Sequence, residues 1–173
     1  MIRISRSFRI NIGFLINQTV GFQREVPFEY STYQFDEEFR FHDLHGVITL
    51  ERTKNGVRSL GNVSAKTPLE CSRCLETFTA ELNAEFEEIF TFANRPLSED
   101  ETIIPENGNL DFAPLIRDYL LLEIPYSPIC NQDCKGLCPI CGQNLNEGRC
   151  SHINQILETH KDSMVNNREY WIN

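Results

Sequence analysis

The feature that most restricts how this chain can fold is the spacing of its cysteines: Cys71-x2-Cys74, then Cys130-x3-Cys134-x3-Cys138-x2-Cys141, then Cys150-x-His152. Seven cysteines and one histidine make eight soft or borderline ligands, the number that two tetrahedral zinc ions need when each site is closed to water. A Cys-x2-Cys pair lets two thiolates of one tight turn reach a single ion, and Cys138-Pro139-Ile140-Cys141-Gly142 adds a glycine where the backbone must turn. An odd number of cysteines cannot pair off completely inside one chain. The apolar patch Ile12–Ile16 is ended by Asn17 and Gln18 too soon for a signal peptide, so a reducing, cytoplasmic setting and metal ligation are expected in place of disulfides.

The simplest partition gives Cys138, Cys141, Cys150 and His152 to one site and Cys71, Cys74, Cys130 and Cys134 to a second that ties the tail to the sheet. Spacing equally allows Cys130/Cys134 to exchange with Cys150/His152. It also allows His152 to be a surface histidine and Cys150 a passive thiol, so one or two zinc ions are expected. Cys134-x3-Cys138-x2-Cys141 further matches the spacing of radical enzymes that bind a four-iron cluster. A chain of 173 residues with antiparallel strand signals cannot supply their repeated strand-helix units, and that reading is set aside.

The rest of the chain reads as one core. Ile2, Ile4, Phe8 and Ile10 alternate with Arg3, Arg6 and Arg9 as an opening strand, and Ile12 to Asn17 suggests a short helical piece. Gly21 to Tyr30 is extended, Tyr33 to Glu38 reads as a polar connection, and Phe39 to Leu50 resumes strand alternation. Asn55-Gly56 predicts a hairpin closed by a type I′ turn. The tip would bring Arg52, Lys54 and Arg58 into a small basic patch, which is also what any solvated hairpin end shows. Phe78, Ala80, Leu82, Ala84 and Phe86 alternate with Thr79, Glu81, Asn83 and Glu85 as a long half-buried strand. Arg95 to Gly108 reads as a loop. Asp111 can cap a helix running to Glu123, with Phe112, Leu115, Ile116, Tyr119, Leu120 and Leu122 as its apolar stripe and Pro125 and Pro128 ending it.

The expected architecture is therefore α+β: a mainly antiparallel sheet with one packed helix in residues 1–125, a cysteine-rich zinc-bound segment in 126–155, and a polar tail in 156–173. No stretch approaches the roughly 20 apolar residues of a membrane helix, so no membrane partner is expected. Residues 76–125 hold 12 acidic and 2 basic side chains, and the whole chain has a net charge of −9, a field that repels phosphate. No phosphate-binding loop, nucleophile elbow or H-E-x-x-H occurs, and His42 and His45 fall on opposite faces of an ideal strand. Nothing reads as an active site, and the chain is expected not to be an enzyme.

Cys71-Ser72-Arg73-Cys74-Leu75, the Asp111 helix leading to Leu122-Glu123-Ile124-Pro125, and the string from Cys134 to Asn146 (CKGLCPICGQNLN) together resemble the YceD family, whose members are called large ribosomal RNA subunit accumulation proteins. The likeness runs from about Ile10 to His152. It implies a bacterial or plastid factor needed for large-subunit ribosomal RNA to be made, processed or kept, acting on that RNA or on the precursor large subunit. The chain departs from the family's Cys-x-Cys and basic ending with Cys150-Ser151-His152 and a polar tail.

Two functions follow. One is a ribosome-assembly factor contacting RNA phosphates through Arg73, Lys135 and Arg149, with Arg52, Lys54 and Arg58 as further candidates. The other is an adaptor whose acidic sheet face docks a basic ribosomal protein without touching RNA. A zinc hydrolase or redox switch would need an open coordination position or an exchangeable thiol.

Overall fold

The computed structural model describes residues 8–37, 39–92, 102–148 and 150–152. The chain divides into two compact units: Met1–Pro68 with Thr79–Tyr126, and Leu69–Phe78 with Ser127–Asn173. The turn around Cys71-x2-Cys74, inside the stretch expected to be core, thus belongs with the cysteine-rich segment.

In the first unit β1 (Arg9–Asn11) is followed by the short helix α1 (Gly13–Ile16) and four long strands, β2 (Gln23–Gln34), β3 (Arg40–Arg52), β4 (Gly56–Glu70) and β5 (Thr77–Thr91). After them come β6 (Thr102–Ile103), β7 (Asn109–Asp111) and the helix α2 (Ala113–Leu122). A five-stranded sheet has the order β2-β3-β4-β5-β6, and β1 pairs with β7 in a two-stranded sheet. The pairs β2–β3, β3–β4 and β1–β7 are antiparallel, while β6 runs parallel to β5. The fold is α+β with a mainly antiparallel sheet. Among the described residues no helix is long and apolar enough to cross a membrane.

Alternation builds the core. Along β5, Leu82, Ala84, Phe86 and Phe90 are buried and Glu81, Asn83, Glu85 and Glu87 are exposed, as period-two spacing requires. Phe41, Leu44, Ile48 and Leu50 of β3 are fully buried with Ile116 and Leu120 of α2, each contributing about 1.5–3 kcal/mol by leaving water. Phe8 lies 5.0 Å from Phe28 and 4.9 Å from Tyr33, ring centre to ring centre, in edge-on arrangements.

Several local expectations are corrected. The hairpin between β3 and β4 forms, but Asn55 and Gly56 have no positive φ, so its turn is not type I′. The Thr53 amide donates to the Gly56 carbonyl at 3.0 Å and the Gly56 amide donates to Thr53 Oγ1 at 3.1 Å, which centres the turn on Lys54 and Asn55. Gly56 is required for a different reason: a Cβ there would lie 1.9 Å from the Phe90 carbonyl oxygen. Tyr33, expected in a polar connection, is buried within β2. Thr102–Ile103, expected in a loop, adds a short parallel strand.

Asp111 ends β7 one residue outside the helix cap, where its carboxylate binds Arg9 at 3.0 Å and accepts the Ala113 amide at 3.1 Å; Phe112 occupies the cap position. Phe112, Ile116 and Leu120, spaced by four, form the buried stripe of α2, whereas Leu122 is 77% exposed.

His42 and His45 share one face. Between them Asp43 and Leu44 of β3 oppose the single Ala65 of β4, and Asp43 takes φ 49° in the resulting bulge. The extra residue resets the alternation, leaving both histidines exposed.

Candidate metal centres

All eight expected metal ligands lie in the second unit, in two groups of four. Within each group, Cys71, Cys74, Cys130 and Cys134 or Cys138, Cys141, Cys150 and His152, the ligand atoms lie within 4.8 Å of one another. The seven cysteines form no disulfide.

The first group joins the turn between β4 and β5 to the segment after α2. Leu75, at φ 61°, donates its amide to the Cys71 carbonyl at 2.9 Å and so curls Cys71 and Cys74 toward one point. The partner segment is fixed to that turn by the Ser72 amide on the Pro128 carbonyl at 2.8 Å and the Leu137 amide on the Arg73 carbonyl at 3.0 Å. Cys71 and Cys134 have sulfurs 3.8 Å apart, as do Cys74 and Cys130. An ion with bonds of about 2.3 Å to a tetrahedron of sulfurs holds them about 3.8 Å apart, so the donor set fits zinc.

Donors aimed at the sulfurs complete this group. The Cys130 amide reaches Cys71 Sγ at 3.4 Å, Asn131 Nδ2 reaches Cys130 Sγ at 3.5 Å, and Asn146 Nδ2 reaches Cys134 Sγ at 3.4 Å. Burial pushes the Cys71 thiol up, but amides of Cys130, Cys74 and Arg73 outweigh it and bring it to about 6. The Asn146 amide, against burial, likewise holds Cys134 below its ordinary value. Burial and the neighbouring sulfurs push Cys130 up to about 12; for Cys74 they outweigh the Glu76 amide, which pulls down. Cys71 and Cys134 are thus shifted toward the thiolate and Cys74 and Cys130 toward the thiol, a division that a dication would remove by taking all four as thiolates.

The second group is a tighter knuckle. The Gly142 amide donates to the Cys138 carbonyl at 2.8 Å with Gly142 at φ 74°, and Cys138 donates to the Gln143 carbonyl at 2.9 Å. The Cys141 and Ile140 amides, against burial, lower Cys138 to about 6, while burial and Cys138 raise Cys150. His152 Nδ1 is buried with no hydrogen-bond partner among the described residues, as a ring nitrogen facing a metal position would be. Cys138 and Cys150 are buried and Cys141 is exposed.

Asn146 was not marked by the cysteine spacing, yet its side chain joins the two ligand loops. Besides Cys134 Sγ it touches the Lys135 amide at 2.8 Å and Asn144 Oδ1 at 2.9 Å. Asn144 in turn donates to Glu76 at 3.0 Å. Its only sequence signal is a position inside the string from Cys134 to Asn146.

Three of the basic candidates are engaged within the chain. The Arg73 guanidinium donates to the carbonyls of Cys134 at 3.0 Å and Gln132 at 3.4 Å. Arg52 binds the carbonyls of Thr53 and Gly56 and lies over the Phe92 ring. Arg58 pairs with Glu87 at 2.7 Å and Glu51 at 3.6 Å. Lys54 and Lys135 are exposed, and Arg149 and the tail 156–173 lie outside the described residues.

A sequence model described as "Large ribosomal RNA subunit accumulation protein YceD" matches residues 60–170. Rv2926c of Mycobacterium tuberculosis is 34% identical over 102 residues, 57% of this chain and 49% of its own length, so the chain spans about half the length of that relative. YlbN of Bacillus subtilis is 26% identical over 128 residues, 65% of this chain and 74% of its own. The Arabidopsis thaliana protein named large ribosomal RNA subunit accumulation protein YCED homolog 1, chloroplastic, is 46% identical over 46 residues, 27% of this chain and 14% of its own. No solved structure matches. With that match covering the sheet's second half, the helix and both cysteine groups, the chain belongs to the YceD family.

Proposed function

We propose that this chain is a non-catalytic cytoplasmic factor that promotes accumulation of large-subunit ribosomal RNA, acting on that RNA or on the precursor large subunit, and that it holds two structural zinc ions. Cys71, Cys74, Cys130 and Cys134 would bind one ion, and Cys138, Cys141, Cys150 and His152 the other. The observation that carries the reading is the pair of closed quartets in a member of this family. Four protein ligands leave no position for water, so such ions stabilise the fold and offer no chemistry to a substrate. The quartet with three sulfurs and one nitrogen favours zinc within the softer metals.

A second reading, an adaptor docking a basic ribosomal protein without RNA contact, is favoured by the internal engagement of Arg52, Arg58 and Arg73. Four thiolates around a dication leave a formal charge of about −2, and three leave about −1, which makes the module less welcoming to phosphate.

Depletion in the native host should lower the ratio of large- to small-subunit ribosomal RNA, with precursor ends mapped; an unchanged ratio removes the functional reading. Elemental analysis should return about two zinc per chain. Absence of metal with readily alkylated thiols removes the zinc. Binding that collapses between low and moderate salt on an RNA fragment marks the first reading, and its absence the second.

A further inference from the structure

The solvent face of the five-stranded sheet has a one-sided charge. Glu25 and Glu29 of β2, Asp43 and Glu51 of β3, and Glu81, Glu85 and Glu87 of β5 reach it by the strand register and its cross-strand contacts, against Arg40 of β3 and Arg58 and Lys66 of β4. Seven carboxylates against three cations leave an excess of four negative charges. The two cations of β4 are already used within the face, Arg58 by Glu87 and Glu51, and Lys66 by Asp43 at 3.0 Å and Glu81 at 4.0 Å, while Arg40 at one end donates to Gln34 at 3.2 Å. A face that only needed solvation would intersperse both signs.

The same face is recessed. One depression of about 870 Å³ is lined by Glu29, Asp43, His45, Ser64, Lys66 and Glu81 among others. A second of about 400 Å³ is lined by half-buried Val47 and Leu60 together with exposed Glu85 and Glu87. They adjoin along β4 and β5: Ser64 with Asn83 belongs to the first, and Asn62 with Glu85, two residues on, to the second. From Arg58 to Lys66 the track is about 26 Å long at 3.3 Å per residue, the reach of about eight extended residues.

We infer that this face is a docking surface for an extended Lys- and Arg-rich protein segment, whose aliphatic stems lie on Val47 and Leu60 while its charged heads meet the acidic side chains. The inference rests on the second of the two proposed readings, the adaptor, and gives it a surface and the extended form of the segment bound there. A chain of net charge −9 is a poor phosphate clamp, and a basic protein segment is what this field attracts.

The test uses the full zinc-loaded chain and a fluorescein-labelled nona-arginine peptide, read by anisotropy at physiological salt. Glu29→Lys with Glu85→Lys should weaken binding about tenfold or more, whereas Glu106→Lys with Glu123→Lys, exposed residues of the same unit that are not on the face, should stay within about twofold. Should the lysine pair lose its circular dichroism or its zinc, Glu29→Gln with Glu85→Gln replaces it, with an expected loss of about threefold. Equal weakening by face and control pairs, no binding by the parent chain, tighter binding of a single-stranded ribosomal RNA fragment than of the peptide, or a dimer broken by the face pair would each overturn the inference. Restoration of the ribosomal RNA ratio by the parent chain in a depleted strain tests the functional reading separately. That ratio can be restored while peptide discrimination fails, and this outcome sinks only the docking face.

Discussion

The side-chain amide of Asn146 donates to the Cys134 sulfur at 3.4 Å while its carbonyl oxygen accepts the Lys135 amide at 2.8 Å, so one residue orients a ligand and holds that ligand's own loop. Asn146→Ala removes both contacts and leaves all eight ligands in place. Outer-shell partners of this kind typically change metal affinity about 10–100-fold. Competition with a chelator should show that loss for one of two ions, the other unchanged; equal loss of both would show that Asn146 supports the whole module.

Proton linkage gives the metal-free chain a definite pH profile. Cys71 and Cys138 lie at about 6 against an ordinary value of 9.0, and a depressed acid contributes fully above the ordinary value and loses its contribution as pH falls through the folded one. Cys130, pushed up to about 12, contributes fully below the ordinary value and loses it as pH rises toward 12. The urea midpoint of the metal-free chain should therefore climb from pH 6 to about 9 and decline above it. Cys71→Ser should flatten the climb and Cys130→Ser the decline.

Gly56→Ala places a methyl 1.9 Å from the Phe90 carbonyl oxygen, a backbone atom that cannot swing aside. Overpacking of this type costs about 1–3 kcal/mol, to be read as a lower urea midpoint. A substitution acting only through turn conformation would not need β5 to move, so shifted Phe90 and Thr91 amide resonances are the discriminating signal.

Within α2, Leu120 is fully buried and Leu122 is 77% exposed. Leu120→Ala should cost about 2–5 kcal/mol, and Leu122→Ala should stay within about 0.5 kcal/mol. Comparable losses at the two positions would mean that Leu122 is covered in solution.

How much of this was legible depended on the range of the interaction. The alternation of β5 and the stripe Phe112, Ile116 and Leu120 are set by local period, and the sequence states that period directly. Asn55-Gly56 misled because the glycine answers to Phe90, 34 positions away in the sequence, and not to its own turn. The Asp43 bulge that reunites His42 and His45 likewise exists only in the pairing of β3 with β4. The spacing of the cysteines marked the side chains that the structure gathers into two groups of four. The choice among partitions was not, because spacing cannot say which turn folds back on which.

Cys71 and Cys134 are 63 residues apart, and their quartet draws one pair of ligands from each of two distant chain segments. Chains are made from the N-terminus onward, so from the addition of Cys74 until that of Cys134 the pair Cys71 and Cys74 stands as a bare dithiol awaiting counterparts. The quartet can close only after Cys134 has been added. A product stopped before that point would contain the sheet's four long strands and still display an unfilled pair, so a closed quartet records that the chain has been made at least as far as Cys134.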